Sequence, residues 1–268
     1  MKILALADLH SGSRLAPWPQ GTSLEDGNSW GLSRVQAWLM ECWTLMCADA
    51  KKWRPDVVLL VGDLVEGIAP DNGELITNNL HEQQGAAVEL LSMAIPRKAK
   101  VYAIKGTPRH EGILSGITDG VARELGAIPS EGGTHVRPYL LLDTPGGLLY
   151  AVHHTGGGSL PWTKTNSSQR GYWILKMSLS DAFGIDPTRL RATVTAHIHS
   201  AGMSIPGEGE VIACLPCWQL KTAYAHKRMP FVWPDIGYMK LEATERGFSG
   251  CIKVFKQPEL EVDTWNPE

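Results

Sequence analysis

Residues 56–67 read Asp-Val-Val-Leu-Leu-Val-Gly-Asp-Leu-Val-Glu-Gly. The first six form a β-branched-rich run that breaks at Gly62-Asp63, and such a run predicts a strand whose end presents Asp63. Upstream, Val35, Leu39, Trp43 and Met46 recur at helical spacing over residues 32–53, with Ser33 as a candidate cap and Pro55 as the stop. The tryptophans of this helix belong to its amphipathic pattern and are read as core. Further upstream, residues 2–7 are an apolar run that predicts a buried strand delivering Asp8 to a loop. Between that strand and the helix, residues 11–31 are rich in Pro, Gly, Ser and Asn, and loops of this length often act as lids or binding loops.

Downstream the pattern continues with a helix over 79–94, a strand over 100–104 and a loop over 106–112. Strand, helix, strand, helix, strand implies right-handed parallel crossovers. The second half differs: residues 139–142 and 148–152 flank Thr144-Pro145-Gly146-Gly147, which predicts a hairpin. A helix over 170–182 follows, then strands over 192–196, 210–214, 238–242 and 251–255. This order fits an α/β fold in which a two-sheet β-sandwich is flanked by helices. A chain of 268 residues can build it as a single domain, expected over 1–268.

The bulk properties narrow the class. At 43% hydrophobic and 20% charged residues the chain has enough apolar material to offset the entropy of ordering, so disorder is not expected. Lys and Arg total 25 against 28 Asp and Glu, so a nucleic-acid partner would need a local basic patch. No apolar run approaches the roughly 20 residues of a membrane span, and residues 1–7 are too short for a signal sequence, so a cytoplasmic location without membrane contact is expected. Of five cysteines, only Cys214 and Cys217 form a C-x-x-C pair, read as reduced buried thiols because no second pair or thioredoxin-like setting accompanies it.

Histidine and carboxylate, the ligands of borderline divalent metals, cluster at the expected strand ends. In order they are Asp8 and His10, Asp63, His110, His153 with His154, and His197 with His199. Each has an ordinary alternative: Asp8 as an Asx turn, Gly62-Asp63 as a turn, His153-His154 as one core and one surface side chain, His197 and His199 as a hydrogen-bonded pair. Coincidence at four strand ends is harder to accept than any one of these.

The ordered set DLH (8–10), GDLVEG (62–67), GTPRHEG (106–112), VHH (152–154) and TAHIH (195–199) resembles the calcineurin-like metallophosphoesterases. That resemblance covers about three quarters of the chain and implies a four-layer α/β/β/α sandwich with two divalent cations at the sheet edge. It implies that Asp8, His10 and His199 hold one ion, that His197 and one of the 153/154 pair hold the second, and that Asp63 bridges both. His153 is favoured over His154, which becomes a substrate-binding group. Three departures stand out. Thr107 replaces the family's asparagine, Pro108 and Arg109 separate that position from His110-Glu111, and Ala196 replaces a glycine. His110 is then the displaced catalytic histidine, with Arg109 and Thr107 as phosphate contacts.

Two ions about 3.5 to 4 Å apart can activate water, hold phosphate oxygens and neutralise charge. The nitrogen and oxygen ligand set suits manganese, iron, zinc or nickel. His110 would protonate the leaving oxygen or stabilise charge on the phosphoryl group, and the bridging Asp63 is the least replaceable residue. The expected function is that of a metal-dependent phosphoric ester hydrolase, a phosphodiesterase acting on nucleic acid or nucleotides. Arg109, the loop from Trp18 to Trp30, and the loop of Gly156, Gly157 and Gly158 followed by Trp162 and Lys164 motivate that substrate class, with packing against the core as the equal alternative for the tryptophans. The alternatives are a phosphomonoesterase and a non-catalytic metal-binding scaffold. The Thr107 change favours the scaffold, whereas retention of the full ligand set, costly to bury without metal, opposes it. The segments 217–221 and 233–237 are expected to cross near the site and return to the sheet. Oligomeric state is not set by the sequence.

Overall fold

In the computed structural model, which describes residues 1–68, 73–112, 116–154 and 163–258, the run 56–67 opens with strand β2 (Val57–Val61), all of it buried. Successive side chains face opposite ways, and both ways lead into core. Val58 and Leu60 pack under helices, whereas Val57, Leu59 and Val61 join a cluster shared with another sheet. Strand β1 (Lys2–Leu6) runs parallel beside it and divides in the same manner, Leu4 and Leu6 against Ile3 and Ala5. With both faces buried there is no place for polar alternation, which is why these segments read as unbroken apolar runs.

Helix α1 (Arg34–Trp53) connects the two strands. Ser33 and Gln36 form a capping box at its start, and Arg54 in the left-handed conformation ends it ahead of Pro55. Helix α2 (Leu80–Ala94), capped by Asn79, leads to the parallel strand β3 (Lys100–Ile104). With β4 (Val136–Arg137), β10 (Gly237–Thr244) and β11 (Gly247–Val254) the first sheet has the order β11-β10-β1-β2-β3-β4. The second is built from β5 (Leu140–Thr144), β6 (Gly147–Ala151), β7 (Leu190–Thr195), β8 (Gly202–Ser204) and β9 (Val211–Cys214) in the order β5-β6-β7-β9-β8. Both sheets mix parallel and antiparallel pairs.

The inner faces of the sheets share one cluster, with Leu59, Val61 and Met239 from the first and Leu149, Val194 and Ala213 from the second. Helices α1, α2 and α4 (Gly116–Glu124) cover the outer face of the first sheet. Helix α5 (Asn166–Phe183) covers that of the second through Tyr172 and Leu179. The α/β sandwich with helices outside is the fold expected.

Several details differ from the expectation. Residues 106–112 hold one helical turn, α3 (Pro108–Glu111), with proline at a first-turn position where its missing N–H costs nothing. Helices α4 and α6 (Ala223–Arg228) and strands β4 and β8 were not expected, being too short or too glycine-rich to show a period. Val35 of the α1 stripe sits at the exposed first turn. Trp18 is fully buried with Ile76 and Ala86, so it covers core and is not a stacking platform. Lys164 is paired with Asp235 at 2.9 Å. Gly156, Gly157, Gly158 and Trp162 lie outside the described residues. Cys214 and Cys217 are buried free thiols. Among the described residues no helix is long and apolar enough to cross a membrane.

Candidate metal centre

Asp8, Asp63, His153 and His197 each stand two positions beyond the last residue of a strand, β1, β2, β6 and β7 respectively. Within each sheet the two strands concerned are parallel neighbours, so their ends lie side by side. Pairing continues past the strands: the amides of Asp8 and His10 donate to the carbonyls of Gly62 and Asp63, both at 3.0 Å. The Ala196 amide donates to His153 O at 3.0 Å, and the Trp218 amide to Asp8 O at 2.9 Å. The loops that carry these side chains are therefore hydrogen-bonded extensions of the sheets.

The backbone there is strained. Among the described residues, the non-glycine positions with left-handed φ are Asp8 (51°), His10 (49°), Asp63 (50°), His197 (78°) and His199 (53°), together with the helix cap Arg54. Each such residue costs on the order of 1–2 kcal/mol, and strain of this kind clusters where a site needs side chains aimed at one point. Glycine is required behind them. A Cβ on Gly106 would come within 2.1 Å of Asp63 Oδ1, and one on Gly62 within 2.5 Å of His153 Nδ1.

Two groups of candidate ligand atoms result at the strand ends, Asp8 with His10 and His199, and Asp63 with His153 and His197, and a third shares His10 with Glu66 and His110. In the first, His10 Nε2 and His199 Nε2 face each other at 3.2 Å, and Asp8 Oδ1 lies 3.9 and 3.5 Å from them. In the second, His153 Nε2 is 3.0 Å from Asp63 Oδ2. His153 Nε2 is also 3.8 Å from Asp8 Oδ1, so this oxygen has imidazole nitrogens of both groups around it. Asp8 Oδ1 is buried without a hydrogen-bond partner, its nitrogen neighbours standing too far away to serve.

A surrounding set of contacts fixes the tautomers. His153 Nδ1 donates to Val61 O at 2.7 Å, so Nε2 is the nitrogen that faces Asp63 Oδ2. His10 Nδ1 donates to Glu66 Oε2 at 2.8 Å, and Gln219 Nε2 donates to the same oxygen at 2.8 Å. A carboxylate behind a histidine is the arrangement that orients a metal-bound imidazole and raises its basicity. Thr107 holds Asp63, its amide donating to Oδ1 at 2.7 Å and its hydroxyl lying 3.1 Å from both oxygens. The Asp63 amide donates to Glu111 Oε1 at 2.9 Å. Glu66, Gln219 and Glu111 were not assigned roles from sequence. The signals were that Glu66 and Glu111 sit inside the motifs GDLVEG and GTPRHEG, and that Gln219 lies in the segment 217–221 expected to cross near the site.

Electrostatics follow this packing. Burial opposes ionisation of Asp8, but His153 and His199 outweigh it and hold the carboxyl below its usual range. Asp63 is likewise held far below, against burial, chiefly by His153. Burial favours the neutral ring of His153, yet Asp63 and Asp8 push it up to about 9. His197 is pushed down to about 4 by burial and by His153. Burial, then the charge of Asp63, pushes Glu111 up to about 7.

These residues fit divalent cations. Bonds of about 2.0–2.1 Å to nitrogen or oxygen place neighbouring donors roughly 3 to 3.5 Å apart, close to the separations in both groups. A cation also supplies the partner that Asp8 Oδ1 lacks, and relieves the apposition of the His10 and His199 nitrogens.

His10, Asp63, His197 and His199 line a cleft of about 710 Å³ together with Thr107, Arg109 and His110. His110 Nδ1 donates to the Glu66 carbonyl at 2.7 Å, and its ring stands edge-on to His10 with centroids 4.5 Å apart. Burial and the neighbouring His10 lower its pKa. Arg109 is exposed on the cleft wall, over the ring of Tyr224 at 5.4 Å. Of the adjacent pair, His153 is buried among the candidate ligands and His154 is exposed, its ring 4.3 Å from that of His197. The structure thus brings together Asp8, His10, Asp63, Thr107, Arg109, His110, His153, His154, His197 and His199, with His154 outermost.

No family model matches the chain, and no curated protein matches it in sequence. Solved structures do resemble it. One is a dimetal phosphatase from Danio rerio, 11% identical over 95% of this chain and 96% of that one, with a TM-score of 0.47. Another is an archaeal phosphodiesterase, 7% identical over 94% and 100%, TM-score 0.45. A third is the phosphoesterase Yfce of E. coli, 13% identical over 90% and 88%, TM-score 0.41. These identities and scores are low, and what the cleft can do follows from its own residues.

Proposed function

We propose that this chain is a metal-dependent phosphoric ester hydrolase, a phosphodiesterase acting on nucleic acid or nucleotides. The observation that carries this reading is the convergence of Asp8 with His10 and His199, and of Asp63 with His153 and His197, beside one cleft that His10, Asp63, His197 and His199 line, with a buried Asp8 oxygen that has no hydrogen-bond partner. Asp8, His10 and His199 would hold one divalent ion, and Asp63, His153 and His197 a second. Such ions supply Lewis acidity and a counter-charge for a phosphoryl group.

The remaining chemistry belongs to the protein. With Nδ1–H committed to Glu66 O, His110 can take or give a proton only at Nε2, which makes it the candidate catalytic group for the leaving oxygen. Arg109 offers a planar fork that grips two phosphate oxygens at once. Thr107, expected to touch phosphate, instead spends its hydroxyl on Asp63 and so positions a ligand. His154 stands at the rim beside His197, where a substrate would pass.

Hydrolysis of bis-p-nitrophenyl phosphate and p-nitrophenyl phosphate with manganese, in the wild type and Asp63→Ala, tests this reading. Cleavage of the diester that disappears in the variant is expected. Cleavage of the monoester alone would redirect it to a phosphomonoesterase. Cleavage of neither, with metal bound, would make the chain a scaffold.

A further inference from the structure

One wall of the metal cleft is a segment of the C-terminal half, residues 220–234, which leaves the centre at Gln219 and returns to it at Asp235, whose amide donates to His199 O at 2.8 Å. Its sequence, Leu-Lys-Thr-Ala-Tyr-Ala-His-Lys-Arg-Met-Pro-Phe-Val-Trp-Pro, contains Lys221, Lys227 and Arg228 and no acidic residue, within a chain of net charge −3. We propose that this segment binds an unpaired nucleic-acid strand and feeds it across the metal centre, an inference that rests on the phosphodiesterase reading above.

The segment carries three exposed aromatic side chains, Tyr224 (55%), Phe231 (94%) and Trp233 (44%), where large rings cost apolar surface in water. Tyr224 and Arg228 lie one helical turn apart on α6 and both line the cleft. Arg109 stands 5.4 Å and Arg228 5.8 Å from the Tyr224 ring centre, so an aromatic face beside the metal centre is flanked by two guanidinium groups. Phe231 and Trp233 lie beyond the cleft lining, and His226 packs edge-on to Trp233 at 5.7 Å. Buried Lys221 does not take part in docking. Its Nζ donates to Pro230 O at 2.6 Å and sits 4.7 Å from the Trp233 ring, which ties the return of the segment in place.

Aromatic faces interleaved with cations are how proteins hold single strands, bases stacking while cations neutralise phosphates. A mononucleotide would need only the Tyr224 station, and the continuation to Phe231 and Trp233 outside the cleft calls for several connected nucleotides. A duplex keeps its bases stacked on each other and cannot use these faces.

Fluorescence anisotropy with labelled dT12 and U12 and the full chain in EDTA, where no turnover occurs, tests this and separates DNA from RNA as the source. Wild type should bind one or both strands more tightly than a duplex of equal length, with affinity falling as salt rises. Tyr224→Ala and Trp233→Ala should each weaken binding by about five-fold or more, Tyr224→Trp should retain it, and Arg228→Ser should flatten the salt dependence. Should Tyr224→Ala fail to fold, Phe231→Ala and Arg228→Ser, both at exposed positions, decide. Strand affinity unchanged in these variants, preference for duplex, or binding of anionic vesicles with no strand affinity would each overturn the inference. Its failure is distinguishable from that of the phosphodiesterase reading. A wild type that cleaves the reporter diester without binding strands loses only the inference, and one that cleaves nothing loses the reading beneath it.

Discussion

His10 Nδ1 lies 2.8 Å from Glu66 Oε2, and this contact decides which nitrogen of His10 faces the cleft. The proton must reside on Nδ1, because a carboxylate only accepts, so Nε2 is free to bind a cation. Glu66→Gln keeps the size but removes the charge, and its amide can turn an N–H toward His10. A loss of about 10–100-fold in manganese affinity is expected, with little change in folding. Calorimetric titration of metal-stripped protein checks this, and unchanged affinity would show that Glu66 does not orient the ligand.

Thr107 occupies the position where the resembled family carries asparagine, and its hydroxyl lies 3.1 Å from both Asp63 oxygens. Thr107→Val removes the hydroxyl at nearly constant volume. Hydrogen bonds to a charged group are worth about 1.5–3 kcal/mol, so turnover of the reporter diester should fall by roughly ten-fold or more. Steady-state kinetics of the two proteins make the comparison.

His110→Ala should lower kcat by about 10²–10⁴ while metal content, read by elemental analysis, stays at the wild-type level. A variant that loses metal instead would place His110 among the ligands.

Away from the cleft, Asp49 Oδ2 accepts from Tyr238 Oη and from Lys240 and Lys253 at 2.7 and 3.0 Å, joining α1 to β10 and β11. Although partial burial opposes it, Lys240 and the other donors hold the carboxyl well below its usual range. Its stabilisation is therefore complete above the unfolded carboxylate value of about 3.9 and is lost as pH falls toward the folded one. Asp49→Asn should cost about 1–2 kcal/mol at pH 7, allowing for solvent screening, and the gap between the proteins should narrow below pH 4. Urea unfolding at pH 7 and pH 3 measures both.

Strands β1, β2 and β3 were legible in the sequence because burial on both faces leaves an unbroken apolar run, and α1 because Ser33 and Pro55 bracket a helical period. Asp8 and Asp63 were legible as candidate ligands because each stands two positions beyond such a strand, whereas His197 and His199 were legible from their own H-x-H spacing after the mixed strand β7. Gln219 was not, since its contact with Glu66 spans 153 residues and exists only once both sheets have formed. Nor was α6, six residues long, whose exposed Tyr224 and Arg228 follow no burial pattern. Trp18 was ambiguous for the opposite reason: a lone tryptophan in a polar loop carries no period to reveal that it is core.

The measurement closest to the central claim is a manganese titration of metal-stripped protein, following bound metal and hydrolysis of bis-p-nitrophenyl phosphate together. Two ions per chain are expected, with diester cleavage appearing as the second binds, and Asp63→Ala should show neither the second equivalent nor the cleavage. Saturating metal without cleavage, or full cleavage by Asp63→Ala, would contradict the account.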